Sequence, residues 1–313
     1  MILPFTATSY RRRNRLQVPL YLEYKRGEIF YIDDAIKSIS NIQYEVQDRI
    51  ASGGNAVVHK CVDSVTGNEY AVKFQLTLTQ KRLTRFKQEI SLLKQVEHEH
   101  LIKYVDSGEV DSTVKNKTQK NETRKSILFL IMPLADSNLL QHVQKSQNTI
   151  VYADYIAQFK GLVSALAKLH QKAIHRDIKP ENILIKGETW LLSDFGLCKF
   201  SDDNCLDITH ENEAIGPRYW MSPEAVNRSI GNNDAISIQS DIFQLCSIFW
   251  FVVTGRHPSG IVSKEDWKGP DNIFEPIFNS LRHDPCKRPT DAKQLIELLF
   301  EATLETPYAN EFD

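Results

Sequence analysis

The sequence has little of what marks a chain that is stapled, anchored or held by charge. Its five cysteines in 313 residues are Cys61, Cys198, Cys205, Cys246 and Cys286, scattered and without a C-x-x-C pair. Neither a disulfide framework nor a zinc module is indicated, and a reducing, cytoplasmic setting is expected. Net charge is nearly absent: 38 Lys and Arg against 40 Asp and Glu leave −2. That argues against a nucleic-acid coat and against a polybasic membrane anchor. No apolar run reaches the ~20 residues of a membrane span. The longest, Ile242 to Val253, is interrupted by Gln244 and Ser247 and reads as a buried core helix. The start, apolar from Met1 to Phe5 and then basic from Arg11 to Arg13, reverses the order of a secretory signal. No internal repeat is visible. What is present, 42% hydrophobic and 25% charged residues, is the composition of an ordinary globular chain, long enough for about two compact units.

Patterning divides the chain into a β-rich first part and an α-rich second part, meeting near Pro133. From Tyr44 to Phe74 alternation and β-favouring residues, with turn signals at Gly53-Gly54 and Thr66-Gly67, predict a strand meander. Leu83, Phe86, Ile90, Leu93 and Val96 then recur at helical spacing and predict one buried stripe over Arg82 to Val96. Leu101 to Tyr104 is β-like. Val110 to Ser126, polar and Lys-rich, reads as a solvated loop before an apolar strand, Ile127 to Met132. Tyr155 to Leu169 presents one apolar helical face, and short strands are expected at Asn182 to Ile185 and Trp190 to Leu192. Residues 1–43 are an extension in which Leu20 to Ile32, broken at Arg26-Gly27, predicts a β-hairpin packed on the first lobe. The cluster Arg11, Arg12, Arg13 and Arg15 reads as a solvated arm. Lys115, Lys117, Lys120, Arg124 and Lys125 lack interleaved aromatics, so nucleic acid is not an expected partner.

The chemistry begins with Ile50-Ala51-Ser52-Gly53-Gly54-Asn55-Ala56-Val57-Val58, small residues between two β stretches, where backbone N–H groups can approach a phosphate. Alone, a hairpin turn explains it as well. Tyr70-Ala71-Val72-Lys73-Phe74 adds a lysine among apolar neighbours, which needs an anion, and Glu89 on the following helix supplies one. Further on stand His175-Arg176-Asp177-Ile178-Lys179-Pro180-Glu181-Asn182 and Leu192-Ser193-Asp194-Phe195-Gly196. Asn182 and Asp194 carry hard oxygens suited to Mg²⁺, while Asp177 can orient a hydroxyl and accept its proton.

Over Tyr44 to Leu304 these motifs, in this order, resemble the eukaryotic-type protein kinase family. The resemblance implies an α+β, bilobal fold: an N-lobe over 44–132, a hinge over 133–136, an α-helical C-lobe over 137–304 and a short tail over 305–313. It implies ATP and Mg²⁺ as cofactors and a protein as substrate, with self-association for autophosphorylation in trans. Ala51, Ser52, Gly53, Gly54, Ala56 and Val58 would cover the phosphates. Lys73, paired with Glu89, would hold the α- and β-phosphates. Val58, Ala71 and Leu184 would sandwich the adenine, with Met132 and Leu134 beside it. Asp177 would be the catalytic base, Lys179 would steady the transferring phosphoryl group, and Asn182 with Asp194 would hold magnesium. Leu93, Tyr104, His175 and Phe195 match a stack of side chains that registers the lobes. Glu224 of Ser222-Pro223-Glu224, Arg288 and Asp241 match structural anchors, and Arg176 would pair with a phosphate on Ser201 or Thr209.

The pattern is departed from at Ala51 and Ala56, where the family usually has glycine. A methyl limits φ > 0 there, so weaker nucleotide binding is expected. Lys179 resembles Ser/Thr kinases, whereas Pro217 and Trp220 resemble tyrosine kinases; Lys179 acts at the reacting centre and decides for Ser/Thr. Tyr or dual specificity stays open, as does an inactive scaffold of the same fold.

Overall fold

The computed structural model describes residues 10–12, 15–22, 28–116, 119–146, 152–200 and 219–304. They fall into two compact units: residues up to Lys94 with Lys103–Leu134, and Gln95–Ile102 with the chain from Ala135 onward. The extension before residue 44 is thus part of the first unit.

The first unit holds strands β1 (Tyr10–Arg12), β2 (Arg15–Leu20), β3 (Glu28–Asp33), β4 (Ala35–Lys37), β5 (Gln43–Ser52), β6 (Ala56–Asp63), β7 (Glu69–Gln75), β8 (Asp106–Asn116) and β9 (Gln119–Pro133), with helix α1 (Gln80–Gln95). Among the described residues these form one nine-stranded sheet in the order β1-β2-β3-β8-β9-β7-β6-β5-β4, antiparallel at every pairing. Period-2 alternation sends Val57, Cys61, Val72, Phe74, Phe129 and Ile131 to one face, where they form a core with Leu20, Phe30, Ile32 and Ile36 of the extension. Helix α1 buries Arg85, Phe86, Glu89, Leu92 and Leu93; of the expected stripe Phe86, Leu93 and Val96 are buried, while Leu83 and Ile90 are only half-buried.

Four expectations are corrected by the structure. Val110 to Ser126 is not a solvated loop: β8 and β9 continue as a paired ladder from Asp106↔Ile131 to Asn116↔Gln119. The reason is non-local. Ser112 and Val114 turn inward, and their apolar cover comes from β3, which pairs with β8 from Glu28↔Asn116 to Tyr31↔Thr113. The lysines are used as caps on that cover: Lys115 Nζ lies 5.2 Å from the Tyr31 ring centre and Lys125 Nζ 5.8 Å from that of Phe30. The predicted hairpin is present, with Leu20 opposite Phe30, but it extends the sheet edgewise instead of lying on it. Within the arginine arm, Arg11, Arg12 and Arg15 belong to the β1–β2 ladder. Of Leu101 to Tyr104 only Leu101 pairs, in an isolated bridge with Leu192.

The second unit has strands β10 (Ser137–Asn138), β11 (Ala173–Ile174), β12 (Ile183–Lys186), β13 (Thr189–Leu192) and β14 (Lys199–Phe200). Its helices are α2 (Leu139–Lys145), α3 (Tyr152–Leu169), α4 (Pro223–Ser229), α5 (Ile238–Thr254), α6 (Phe274–Ser280) and α7 (Ala292–Leu304). Helix α5 is the apolar run seen in the sequence. It is buried on nearly all sides, because Phe249 stacks on Phe159 of α3 at 3.9 Å between ring centres while Trp250 meets Trp267 at 5.2 Å. Gly255, at φ 71°, adopts the left-handed conformation that ends it, donating its N–H to Phe251 O at 2.8 Å. β12 and β13 form a hairpin that carries the loop residues on either side of it.

Gly108 on β8 has the ring of Phe129 and the carbonyl oxygen of Lys37, 3.2 Å away, where a Cβ would stand. Gly108→Ala is expected to lower the stability of the first unit by about 1–3 kcal/mol through overpacking, measured by denaturant unfolding. An unchanged midpoint would show that Phe129 can move aside.

Candidate functional site

The first unit brings its predicted residues onto one face of the sheet. Ala51 pairs with Val58, Val58 with Lys73, and Ala71 with Met132. Directly opposed residues share a face, so Ala51, Val58, Ala71, Lys73 and Met132 all turn away from the core that Val57, Val72 and Phe74 enter. Ser52 ends β5, Gly53 and Gly54 lie in the turn to β6, and Leu134 follows the end of β9. Gly53 donates its N–H to Ala56 O at 2.9 Å, closing the turn.

The expectation about the missing glycines is revised. Neither Gly53 nor Gly54 has positive φ, and Ala51 and Ala56 sit in β5 and β6 with extended backbone that any residue adopts. The expected limit on φ > 0 therefore does not arise at either alanine.

Lys73 Nζ donates to both carboxylate oxygens of Glu89, at 2.7 and 2.9 Å. The lysine side chain is 12% exposed and the glutamate 3%, so both charges are held away from bulk water, where a broken pair is costly. Glu89 projects from the helical stripe of α1 between Phe86 and Leu93, which is why one turn of that helix carries both core and charge.

In the second unit, residues 175–178 form a loop whose shape is dictated by α5. Asp241 has no exposure and accepts three hydrogen bonds: His175 N–H at 2.7 Å, Arg176 N–H at 2.8 Å and His170 Nε2 at 3.0 Å. One turn further along, Gln244 Oε1 accepts the N–H of Ile178 at 3.2 Å. Arg176 is held at φ 69°, a left-handed value uncommon for a side chain of its size. Its Nε donates to Leu197 O at 2.7 Å, so its guanidinium is already tied to the chain just after Phe195.

Asp177 then points into a small polar constellation. Its Oδ2 accepts from Lys179 Nζ and from Asn182 Nδ2, each at 3.0 Å, and Asn182 Nδ2 also donates to the Asp177 carbonyl oxygen at 2.8 Å. Asn182 is fixed from the other side, its carbonyl oxygen accepting Ser193 N–H at 2.9 Å and Ser193 Oγ at 2.8 Å. With both amide hydrogens directed at Asp177, the Asn182 side-chain oxygen faces elsewhere and can act as a metal ligand. Asp194 follows at once, exposed and at φ 63°, with Phe195 buried and 5.2 Å from the His175 ring. An amide oxygen and an exposed carboxyl are hard donors of the sparse kind that Mg²⁺ takes together with water and phosphate oxygens.

Burial pushes the Asp177 carboxyl above the usual carboxylate range; Lys179 opposes that and Asp194 adds to it. Burial lowers His175, against the pull of Asp241, Asp177 and Asp194. Its ring is placed as a neutral tautomer: Nδ1 accepts Asp177 N–H at 3.3 Å and Nε2 donates to Ser193 O at 3.2 Å.

Glu224 and Arg288 make a two-pronged ion pair, Nη1 to Oε1 and Nη2 to Oε2, both 2.8 Å. Every other donor of this guanidinium is used, by the carbonyl oxygens of Arg282, Gln239 and His283. Burial alone would raise Glu224, but the bonds from Arg288 and from Ser240 Oγ hold it below its ordinary value. Leu184 lies on β12, and Leu93 and Tyr104 belong to the first unit. Ser201 and Thr209 lie outside the described residues, as does Pro217.

Sequence reasoning missed His170, Gln244, Ser193 and Ser240, which touch the site residues without carrying the chemistry. For Gln244 a signal existed: it is a polar residue inside the longest apolar run, three positions after Asp241.

The sequence pattern of the protein kinase domain family matches residues 44–306. Curated relatives include serine/threonine-protein kinase PrkC of Bacillus subtilis, 26% identical over 69% of this chain and 31% of the relative. A protein named probable serine/threonine-protein kinase PknB, of Bifidobacterium longum, is 26% identical over 69% of this chain and 31% of its own length. MAP3K epsilon protein kinase 1 of Arabidopsis thaliana is 30% identical over 83% of this chain and 19% of the relative. The chain thus spans less than a third of each of these three relatives.

Ser222, where the family usually has alanine, has its Oγ buried and without a hydrogen-bond partner among the described residues. Ser222→Ala is expected to raise stability by about 1 kcal/mol by removing an unpaired buried hydroxyl. Thermal unfolding of the two proteins side by side checks this, and a lower midpoint for the variant would mean that the hydroxyl is in fact bonded.

Proposed function

The chain belongs to the protein kinase family, and on that premise we propose that it transfers the γ-phosphoryl group of ATP, with Mg²⁺, to Ser or Thr hydroxyls of proteins, its own chain included. The observation that carries this is the Asp177 carboxyl, desolvated yet bonded to both Lys179 and Asn182. A carboxyl so placed can hold an acceptor hydroxyl and take its proton as the new oxygen–phosphorus bond forms and the bond to the departing ADP oxygen breaks. Lys179, 3.0 Å from the same oxygen, sets positive charge where the transferring group passes. Lys73, fixed by Glu89, is the cation for the non-transferring phosphates. Asn182 and Asp194 would hold Mg²⁺, which when bound supplies neutralisation of phosphate charge. Val58, Ala71, Met132 and Leu134 would supply apolar surroundings for a base, and Gly54, next to the Gly53 N–H already bonded to Ala56 O, would offer its backbone N–H to a phosphate.

Ser/Thr specificity is supported by Lys179 within bonding distance of Asp177 and by the names of the relatives. Regulation through phosphate on Ser201 or Thr209 would run through the guanidinium of Arg176, whose Nε is bonded to Leu197 O. Self-association follows if the chain phosphorylates itself in trans. No helix among the described residues is long and apolar enough to cross a membrane, and a cytoplasmic setting is part of the same proposal.

Purified protein and its Asp177→Ala variant, incubated with ATP and Mg²⁺ and mapped by mass spectrometry, test the reading. Phosphate is expected on Ser and Thr of the unmodified protein and on none of the variant. Phosphate on neither, with generic protein acceptors present, would sink it, and phosphotyrosine alone would overturn the specificity.

The pH profile gives a second test. Asp177 works ionised, and its carboxyl is raised, so activity is lost as pH falls through a value above the ordinary carboxylate range. A rate that persists unchanged into that range, with the protein still folded, would remove Asp177 from the role of base.

A further inference from the structure

Among the described residues before position 44 none contributes a side chain to the site, and the family pattern begins only after them. Their strands nevertheless complete the sheet that carries Lys73. Only Asp34 separates β3 from β4. β3 pairs with β8 as far as Tyr31↔Thr113, and β4 pairs with β5 from Ala35↔Glu45 to Lys37↔Gln43. Between them Asp34 O accepts Val46 N–H at 2.7 Å. Two residues past β4 the N–H of Ile39 donates to Ser107 O of β8 at 2.9 Å, near the point where Gly108 leaves room for Lys37 O. One bent run, Glu28 to Lys37, therefore joins both outer strands, β8 and β5, of the sheet formed by residues 43–133 and closes it into a barrel.

The inner side chains of this run, Phe30, Ile32 and Ile36, lie in one core with Val72 and Phe74, both with no exposure. Those two flank Lys73 on β7. Because successive side chains alternate in direction, whatever holds Val72 and Phe74 inward holds Lys73 outward to Glu89. We propose that residues 28–37 are a positioning element for the Lys73–Glu89 pair, closing the barrel behind the strand that presents the lysine. The activity part of this proposal rests on Lys73 as the nucleotide ligand; the structural part does not.

The full chain carrying Ile32→Val is compared with Ile277→Val, an equal deletion at a fully buried position of the second unit. Ile32→Val is expected to speed backbone amide exchange in β7 about fivefold. With it, KM for ATP should rise severalfold while KM for a protein acceptor stays unchanged. Ile277→Val should do neither. Ile32→Ala enlarges the effect where it folds, and Ile32→Val carries the test where it does not. Equal β7 exchange in the two valine variants overturns the proposal, as does faster β7 exchange with KM for ATP unmoved. Absence of phosphoryl transfer by the unmodified protein would instead overturn the proposed function, and β7 exchange alone would then decide for or against the positioning element.

Discussion

The second unit is organised around one carboxyl group from which water is excluded. Burying Asp241 would be strongly unfavourable in isolation, and the three donors that converge on it offset that cost where the chain bends through the left-handed region at Arg176. The bend directs Asp177 to one side and the Arg176 side chain to the other. The same first two turns of α5 supply Gln244 to the loop and Ser240 to Glu224. A single helix start therefore fixes both the polar constellation around Asp177 and the corner where Glu224 meets Arg288. That the rest of α5 is apolar is what allows this, since a helix anchored by Phe249 and Trp250 cannot shift to relax its polar end.

In the first unit the organising device is alternation along a strand. Residues 72–74 of β7 bury two large side chains on one face and offer a cation on the other. The face that binds and the face that packs are thus never more than one residue apart, and core quality is transmitted to the site without any contact between them. The buried Lys73–Glu89 pair has little tolerance for motion, because separating the two would leave a charge with poor access to solvent.

The parts of this arrangement that were legible in the sequence are those set by local period or by dense motifs. Helix α1 followed from Leu83, Phe86, Ile90 and Leu93, helix α5 from its apolar run, and the loop residues Asp177, Asn182 and Asp194 from their order. What escaped was non-local. The segment Val110 to Ser126 looks solvated on its own because its apolar partners, Phe30 and Ile32, come some eighty positions earlier, and lysine stems complete the cover where hydrophobic residues would have announced a strand. His170 and Ser240 could not be singled out, since each acts only through a residue distant in sequence. Ala51 and Ala56 were misread for a different reason: a glycine habitually found at a position need not be there for its φ, and here the backbone is extended.

The bent strand from Glu28 to Lys37 also governs how the molecule behaves towards its own kind. Open strand margins display unpaired N–H and C=O groups in register and act as templates for other chains. In this fold that run pairs with Thr113–Asn116 of β8 and Gln43–Glu45 of β5. A shortened chain beginning at residue 44, where the family pattern starts, would carry two such margins together with an uncovered apolar inner face, and its characteristic failure would be self-templated aggregation.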